Sequence, residues 1–563
     1  MTAADDYGGD DALRADAERA RGFSAGTPRL VPWRSIGDVL AAWAAKVPTR
    51  PFLVHVDDEA GTRTEWSYEK FECATNRCAR LLHDEFGVRR GDRVGTLAFN
   101  HRDAVLLYFA CWKLGAAVVP QNPSEDDARI AFALADAGCR TAFAMPDYLE
   151  RLRAIAPAVE GLALVVALDA DFVTRVDASS DGRVGEAPDR LDDDCLLVYT
   201  SGTTGAPKGV CLTQYHLLVD GEALTRWLSL DGDRRMMCVL PIHHVNGIVV
   251  TLVAPLYAGG SVVLNRTFKA STFWRRIDAE KVAVVSVVPT ILQYLCEADE
   301  NLSNVDLASL RYILCGAGTL AVGLAERFER RFGVPILHGY GLSETTAYAC
   351  MLPPELGPDD HRRWLTQHGY PSIGCSLLGA ELDIVDEAGR SLAPGERGEI
   401  VLRGHLVMNG YYRRPDANRD AFRGGWFHSG DEGMYRQDDA GRRYFFITGR
   451  IKELINRGGV KYSPFEIEEV LLECPGVRVG LAVAFDNDWY GEEIGAYVVA
   501  DPATAPNERA VLDHCRARLP YAKCPKTVVF GTEVPVTATG KYQRLKLKSL
   551  FAAHRGTQFR EAR

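Results

Sequence analysis

The stretch YTSGTTGAPKGV, residues 199–210, sets hydroxyl side chains, glycines, a proline and a lysine between the strand-like run CLLVYTS and the helix-like run QYHLLVDGEALTRWL. A strand, a loop and a helix in that order place the loop at the carboxyl end of a strand in a layered α/β fold, where ligands gather. Glycines let backbone N–H groups approach a polyphosphate, and Ser201, Thr203 and Thr204 add hydroxyl donors. Lys208 brings a point charge for outer phosphates. The loop is not a Walker site, because proline precedes Lys208, glycine follows it, and no serine or threonine stands after the lysine to hold magnesium. GYGLSE at 339–344 fails the dinucleotide fingerprint in the same way, with Glu344 where the third glycine belongs.

Outward from the loop, short apolar strands alternate with helical patterns from about residue 35 to 400, as in RVGTLAF then RDAVLLYFACWKLG and VAVVSVVPT then ILQYLCEA. This alternation predicts α/β layers with largely parallel sheets. Near residue 400 the pattern changes to short antiparallel strands such as GEIVLRG and GRRYFFITG. After GRIKELINRGGVKYS, the helix SPFEIEEVLLE, strands VGLAVAF and EIGAYVVA, helix NERAVLDHCRARL and strand KTVVFG form a compact α+β unit. The expected division is a large multi-sheet α/β domain over 1–451 and a small α+β domain over 452–563.

The chain's 563 residues, 47% of them hydrophobic, suffice for more than one core. A net charge of -10 with scattered basic side chains argues against a nucleic-acid surface. The acidic lead-in MTAADDYGGDDALRADAERARG has no apolar segment of a secretory signal and reads as loose or partly helical. GIVVTLVAPLYAGGSVVL, 247–264, is divided by Pro255, Gly259 and Gly260 and reads as a buried helix followed by a strand rather than a membrane span. The 14 cysteines form no C-x-x-C pair and no zinc spacing, which points to reduced thiols and a cytoplasmic protein.

YTSGTTGAPKGV resembles the signature phosphate loop of the adenylate-forming (ANL) superfamily, which includes acyl-CoA synthetases, aryl-CoA ligases, luciferases and peptide-synthetase adenylation domains. The resemblance runs from about residue 35 to 550, with further motifs in the family's order. It implies that Thr200, Ser201, Gly202, Thr203, Thr204, Gly205 and Lys208 face the phosphates of ATP. PIHHVNG (241–247) resembles the segment bordering the acyl pocket, which brings His244, Val245 and Ile248 there. CGAGTL (315–320) resembles the adenine- and acyl-contacting turn, implying Cys315 and Gly318 on the acyl side and Gly316 and Ala317 on the adenine side, with Thr319 where many members have proline. In HGYGLSETT (338–346), Gly339, Tyr340 and Gly341 match the adenine wall, Ser343 the α-phosphate contact in place of a commoner threonine, and Glu344 the magnesium ligand. Asp431 in WFHSGDEG matches the ribose aspartate, and Arg450 in GRIKELINRGG a nucleotide-contacting arginine. Lys452 stands at the family's hinge, although as plain sequence it fits an exposed helix lysine equally well. Gly458 and Gly459 resemble the glycines beside a pantetheine arm, and Lys541 in PVTATGKYQR the adenylation lysine. A lone His244, Glu344 or Lys541 would read as a structural histidine or a solvated charge, and the ordered set gives them their meaning.

The resemblance implies an ATP-dependent acyl-CoA synthetase using ATP, Mg2+ and coenzyme A, with a mobile small domain. Few residues follow Arg544, which favours free coenzyme A over an attached carrier domain. Val245, Ile248 and the VVPT segment at 287–290 predict apolar walls and a hydrophobic acid, and no aspartate opens PIHHVNG to hold an amino group. The alternatives are an enzyme that only transfers acyl groups from preformed acyl-AMP, adenylation for a separate carrier protein, a luciferase-like oxidation and a non-catalytic binding protein on the same fold. Neither a membrane span nor a nucleic acid is among the expected partners, and a homodimer is compatible with the resemblance.

Overall fold

The computed structural model of the protein describes residues 8, 10–23, 27–184, 190–200, 207–298, 300–536 and 542–560. The apolar run DCLLVYT forms the strand Asp194–Thr200. The next element is a second strand, Lys208–Thr213, paired antiparallel with the first so that Thr200 lies opposite Lys208. The phosphate-loop sequence therefore joins the two strands of a hairpin, and the expected direct passage from strand into helix is corrected. The short run KGVCLT packs as a strand buried from Gly209 onward before the helix Gln214–Trp227 starts on a capping box, in which the Thr213 N–H donates to His216 Nδ1 at 3.0 Å.

The hairpin sits in a seven-stranded sheet, beside Ala117–Gln121, Arg93–Leu97, Thr141–Ala144 and Leu164–Ala167 on one side and the two-residue strand Gly410–Tyr411 on the other. A second sheet path of thirteen strands begins with the antiparallel edge strand Thr62–Ser67 and continues through a parallel run: Pro51–Asp57, Ser261–Asn265, Arg235–Cys238, Val284–Val287, Tyr312–Cys315 and Ile336–Tyr340. It becomes antiparallel at Cys350–Met351, well before residue 400. The stretch between Tyr340 and Cys350 is too short for a crossover helix, so the chain can only turn back beside its own strand. Strands Ser372–Ser376, Arg443–Arg450, Phe427–Gln437, Gly398–Gly404 and Ala380–Val385 complete this half.

Past Arg450 the strands change sheet. Ile455–Arg457 and Val460–Tyr462 pair with each other and join Gly491–Ala500, Val477–Asn487 and Thr527–Gly531 in a five-stranded sheet. Helices Pro464–Leu472 and Glu508–Arg516 cover it through Ile467, Leu471, Val511 and Cys515. The run 247–264 folds as expected, as buried helix then strand, but the helix opens with a π-helical segment, Asn246–Val253. All 14 cysteines are free, and 13 of them are buried. Among the described residues no helix is long and apolar enough to cross a membrane. The acidic lead-in forms the helix Asp11–Arg21, capped by Asp10 and tied to the body by Arg21 Nη1 donating to Asn409 Oδ1 at 3.0 Å.

Candidate active site

Ile336–Tyr340 runs into the turn that carries Ser343 and Glu344. Gly341 is required there, because a Cβ at this position would stand 1.6 Å from the Ala347 carbonyl oxygen. The turn then reverses sharply at Thr346, which adopts φ 68° and ψ -65° while the Ala347 N–H donates to the Thr345 carbonyl at 2.9 Å. This γ-turn has its central residue at positive φ, a strained form for a β-branched side chain. The Thr346 hydroxyl holds it by donating to the Leu406 carbonyl at 2.7 Å.

On one side of the turn lies a buried polar cluster. Asp431 and Arg450 are cross-strand partners, and Arg450 Nε stands 3.1 Å from Asp431 Oδ1. The Tyr340 hydroxyl donates to the other oxygen, Oδ2, at 2.7 Å. Burial, then the Asp431 charge, pushes the Tyr340 hydroxyl well above its usual range, so it is a donor at all ordinary pH. The Asp431 charge holds the Arg450 guanidinium above its ordinary value. A carboxylate held between a phenol and a guanidinium can accept further hydrogen bonds from vicinal hydroxyls.

On the other side Glu344 is half-buried, and its Oε1 accepts the Tyr411 hydroxyl at 2.9 Å. The Met408 N–H donates to the Glu344 carbonyl at 2.8 Å. Lys208 Nζ lies 4.8 Å from the centre of the same Tyr411 ring. One tyrosine thus links the carboxylate expected to hold magnesium with the lysine expected to meet the outer phosphates. Among the described residues no group of three or more His, Cys, Asp or Glu could hold a metal. A lone hard carboxylate suits Mg2+, which keeps waters and shares substrate phosphate oxygens, and Glu344 fits that part. The Thr200 hydroxyl points back to the Lys208 carbonyl at 3.5 Å. Ser201, Gly202, Thr203, Thr204 and Gly205 lie outside the described residues, as does Lys541.

The 241–247 turn is pinned by buried Asn100, whose Oδ1 accepts the Ile242 N–H at 2.8 Å and whose Nδ2 donates to the Leu240 carbonyl at 3.0 Å. Along this turn His244 and Asn246 are half-buried, whereas Val245 is 8% and Ile248 0% exposed. Cys315 is also fully buried, while Gly318 is exposed and Ala317 takes a left-handed φ of 61°. Gly316 and Gly339 lie under the ring of Tyr348, where a Cβ would come within 2.7 and 2.8 Å of it.

Lys452 is exposed in the single turn Ile451–Glu453 between the last strand of the long sheet and the first of the small one. Gly458 and Gly459 form the left-handed turn between Ile455–Arg457 and Val460–Tyr462, both exposed. Val536 and Tyr542 pair across the segment that contains Lys541. Just beyond, buried Arg544 binds Glu453 next to the Lys452 position and Glu468 at 2.8 Å. Glu469 accepts the Val322 N–H at 3.0 Å from the large body, and burial raises its carboxyl to about 7. Sequence reasoning missed Tyr411, Tyr348, Asn246, Asn100, Arg544 and Glu469. Arg544 closes the PVTATGKYQR motif and Tyr348 stands two residues past the end of HGYGLSETT, so both carried a local signal.

Residues 40–412 match the model of the AMP-binding enzyme family, and 466–541 that of the AMP-binding enzyme C-terminal domain. The chain is 35% identical over 516 residues to a sulfoacetate–CoA ligase of Cupriavidus necator, covering 91% of this chain and 97% of that one. It is 34% identical to an oxalate–CoA ligase of Arabidopsis thaliana over 483 residues, 83% of this chain and 90% of that one. ATP-bound MatB from Rhodopseudomonas palustris superimposes with a TM-score of 0.81 at 26% identity, covering 92% of this chain and 99% of that one. The apo form of MatB gives 0.71 at the same identity and coverage. Ordered motifs, sheet architecture and matches over nearly the whole length agree that the chain belongs to the adenylate-forming family of AMP-binding enzymes, as an AMP-forming acyl-CoA synthetase that uses ATP and coenzyme A.

Proposed function

We propose that the chain activates a carboxylic acid as acyl-AMP, releasing pyrophosphate, and then passes the acyl group to free coenzyme A. A carboxylate is a poor electrophile, and AMP converts one of its oxygens into a leaving group. The protein needs no covalent nucleophile for this, only alignment and charge neutralisation. The observation that carries the reading is the arrangement around the Ser343–Thr345 turn: Tyr340, Asp431 and Arg450 on one side, Glu344, Tyr411 and Lys208 on the other. The first set suits a ribose, the second a Mg2+-bound polyphosphate. Magnesium bound at Glu344 would neutralise phosphate charge. Tyr411 keeps that carboxylate oriented, and Lys208 meets the outgoing phosphates.

The small domain is proposed to turn about Lys452 between the half-reactions, presenting Lys541 for adenylation and the Gly458–Gly459 turn for the thiol. The better fit to ATP-bound than to apo MatB supports reading the present arrangement as the adenylation one. The acid itself is less constrained than the motif reading implied. The apolar-wall argument rested on Val245, Ile248 and the VVPT segment, of which Val245 and Ile248 are buried in the core, and two relatives are named for sulfoacetate and oxalate.

The test is a panel of acids with ATP and Mg2+, with pyrophosphate and thioester read separately. Acid-dependent pyrophosphate release without coenzyme A, followed by thioester and AMP when it is added, is the expected result. ADP as product overturns the reading. Thioester formed only from synthetic acyl-AMP would restrict the chain to the second half-reaction.

A further inference from the structure

Across the carboxyl ends of Val284–Val287, Tyr312–Cys315 and Ile336–Tyr340 runs a chain of polar side chains. The Ser286 hydroxyl donates to Asn246 Oδ1 at 2.9 Å, and Asn246 Nδ2 lies 3.5 Å from the Tyr348 hydroxyl. With its carbonyl oxygen accepting from Ser286, the Asn246 amide is oriented NH2-first, and its two N–H donors exceed the one long contact to Tyr348. Asn246 is half-buried, two residues from half-buried His244. Tyr348 is 2% exposed and its ring rests on Gly316 and Gly339. Beneath it the Tyr348 N–H donates to Asp220 Oδ2 at 3.3 Å, and Asp220 is fully buried. A long acyl chain needs an apolar channel leading inward from these strand ends. Here a buried tyrosine ring stands at these strand ends, and the half-buried side chain against it is an amide.

Building on the acyl-CoA synthetase reading, we propose that the acid is short and carries, opposite its reacting carboxylate, a hydrogen-bond-accepting group such as a second carboxylate, a sulfonate or a carbonyl. The Asn246 amide receives that group, and Tyr348 sets the depth of the pocket. Burial pushes the Asp220 carboxyl well above its usual range, which favours its uncharged form beneath Tyr348. Leaving a built-in donor unpaired disfavours an acid of equal length with a methyl terminus.

The experiment compares malonate, succinate, sulfoacetate, butyrate, hexanoate, octanoate and cinnamate as substrates for pyrophosphate release, in the wild type and in Asn246→Val, Tyr348→Phe and Tyr348→Ala. In the wild type, kcat/KM for the best acceptor-terminated acid should exceed that of butyrate by about 10-fold or more. Asn246→Val should cut that ratio by about 10-fold, which reads one lost hydrogen bond. Tyr348→Ala should raise octanoate relative to butyrate, and Tyr348→Phe, which keeps the ring, should leave the length preference in place. A wild type that prefers octanoate or cinnamate overturns the inference and leaves the synthetase reading standing. So does an Asn246→Val protein with unchanged melting temperature and an unchanged ratio. If no acid releases pyrophosphate from folded protein that binds ATP, the synthetase reading itself falls, and this inference falls with it.

Discussion

Tyr411→Phe removes one oxygen and tests whether Glu344 is held in place by its neighbour. The hydroxyl donates to Glu344 Oε1 at 2.9 Å, and burial followed by the Glu344 charge keeps it protonated far above neutral pH. A hydrogen bond to a charged group contributes about 1.5–3 kcal/mol. Glu344 is half-buried, so water recovers part of this and the lower end, about 1.5 kcal/mol, is the figure to use. Each 1.4 kcal/mol is tenfold, so kcat/KM for Mg·ATP should fall about 10-fold. The ring remains under Lys208, so that contact, at 4.8 Å, survives the substitution. Pyrophosphate release, titrated with Mg2+ at fixed ATP, should show a rightward shift of the metal dependence. Thioester formation from synthetic acyl-AMP should stay near wild type, because pyrophosphate has already left. Equal losses in both assays, or less than a twofold change in the first, would refute the claim that Tyr411 positions the metal-binding carboxylate.

Three further outcomes are expected. Lys541→Ala should slow pyrophosphate release by about 10²–10³-fold, with a smaller loss in transfer from acyl-AMP to coenzyme A, measured by the same pair of assays. Gly341→Ala should lower the melting temperature and activity together, since its Cβ would collide with the Ala347 carbonyl at 1.6 Å and displace the turn that carries Glu344; an unchanged melting curve would contradict this. Glu469 gives a pH dependence. Its carboxyl is raised to about 7 in the closed arrangement, by burial above all, against 4.5 when solvated. The closed form therefore binds the proton more tightly, so closure is unpenalised below about pH 4.5 and progressively disfavoured as pH rises towards 7. Between pH 5 and 7 small-angle scattering should show the domain opening, with little further change at higher pH, and Glu469→Gln should flatten that response.

Much of the site was legible because its residues lie in short motifs whose internal spacing is fixed. Tyr340, Glu344, Asp431 and Arg450 come together around one turn, as their motifs implied. The hairpin was misread because KGVCLT is too short to announce a strand and QYHLLVDGEALTRWL announces a helix strongly. The inward and outward faces of PIHHVNG were also hidden. A turn followed by a π-helix follows neither the strand nor the α-helix period, so nothing local says that Asn246 looks out and Ile248 looks in. Tyr411 lies 67 residues from Glu344, and the pairing of Gly410–Tyr411 with Val210–Cys211 that delivers it is a long-range contact that no window of sequence contains.

The wiring of the small domain makes the proposed rotation about Lys452 mechanically plausible. Arg544, three residues past Lys541, is buried against Glu453 and Glu468. Both carboxylates lie past Lys452 in the chain, one as the next residue of the same turn and one in helix Pro464–Leu472. The desolvation of that arginine is offset only while both partners remain, so breaking the cluster is costly. Contacts to the large body have a different character. The Val322 N–H to Glu469, the exposed pair of Arg478 with Glu297 at 3.4 Å and that of Lys461 with Glu387 at 3.4 Å are polar and readily replaced by water. Phe465 adds an apolar contact close to the hinge, where a rotation displaces it least. A motion that keeps the Arg544 cluster intact and exchanges the peripheral contacts costs far less than one that bends the domain internally. The Lys541 segment and the Gly458–Gly459 turn should therefore travel as one rigid piece, so that bringing one to the reacting carboxylate withdraws the other.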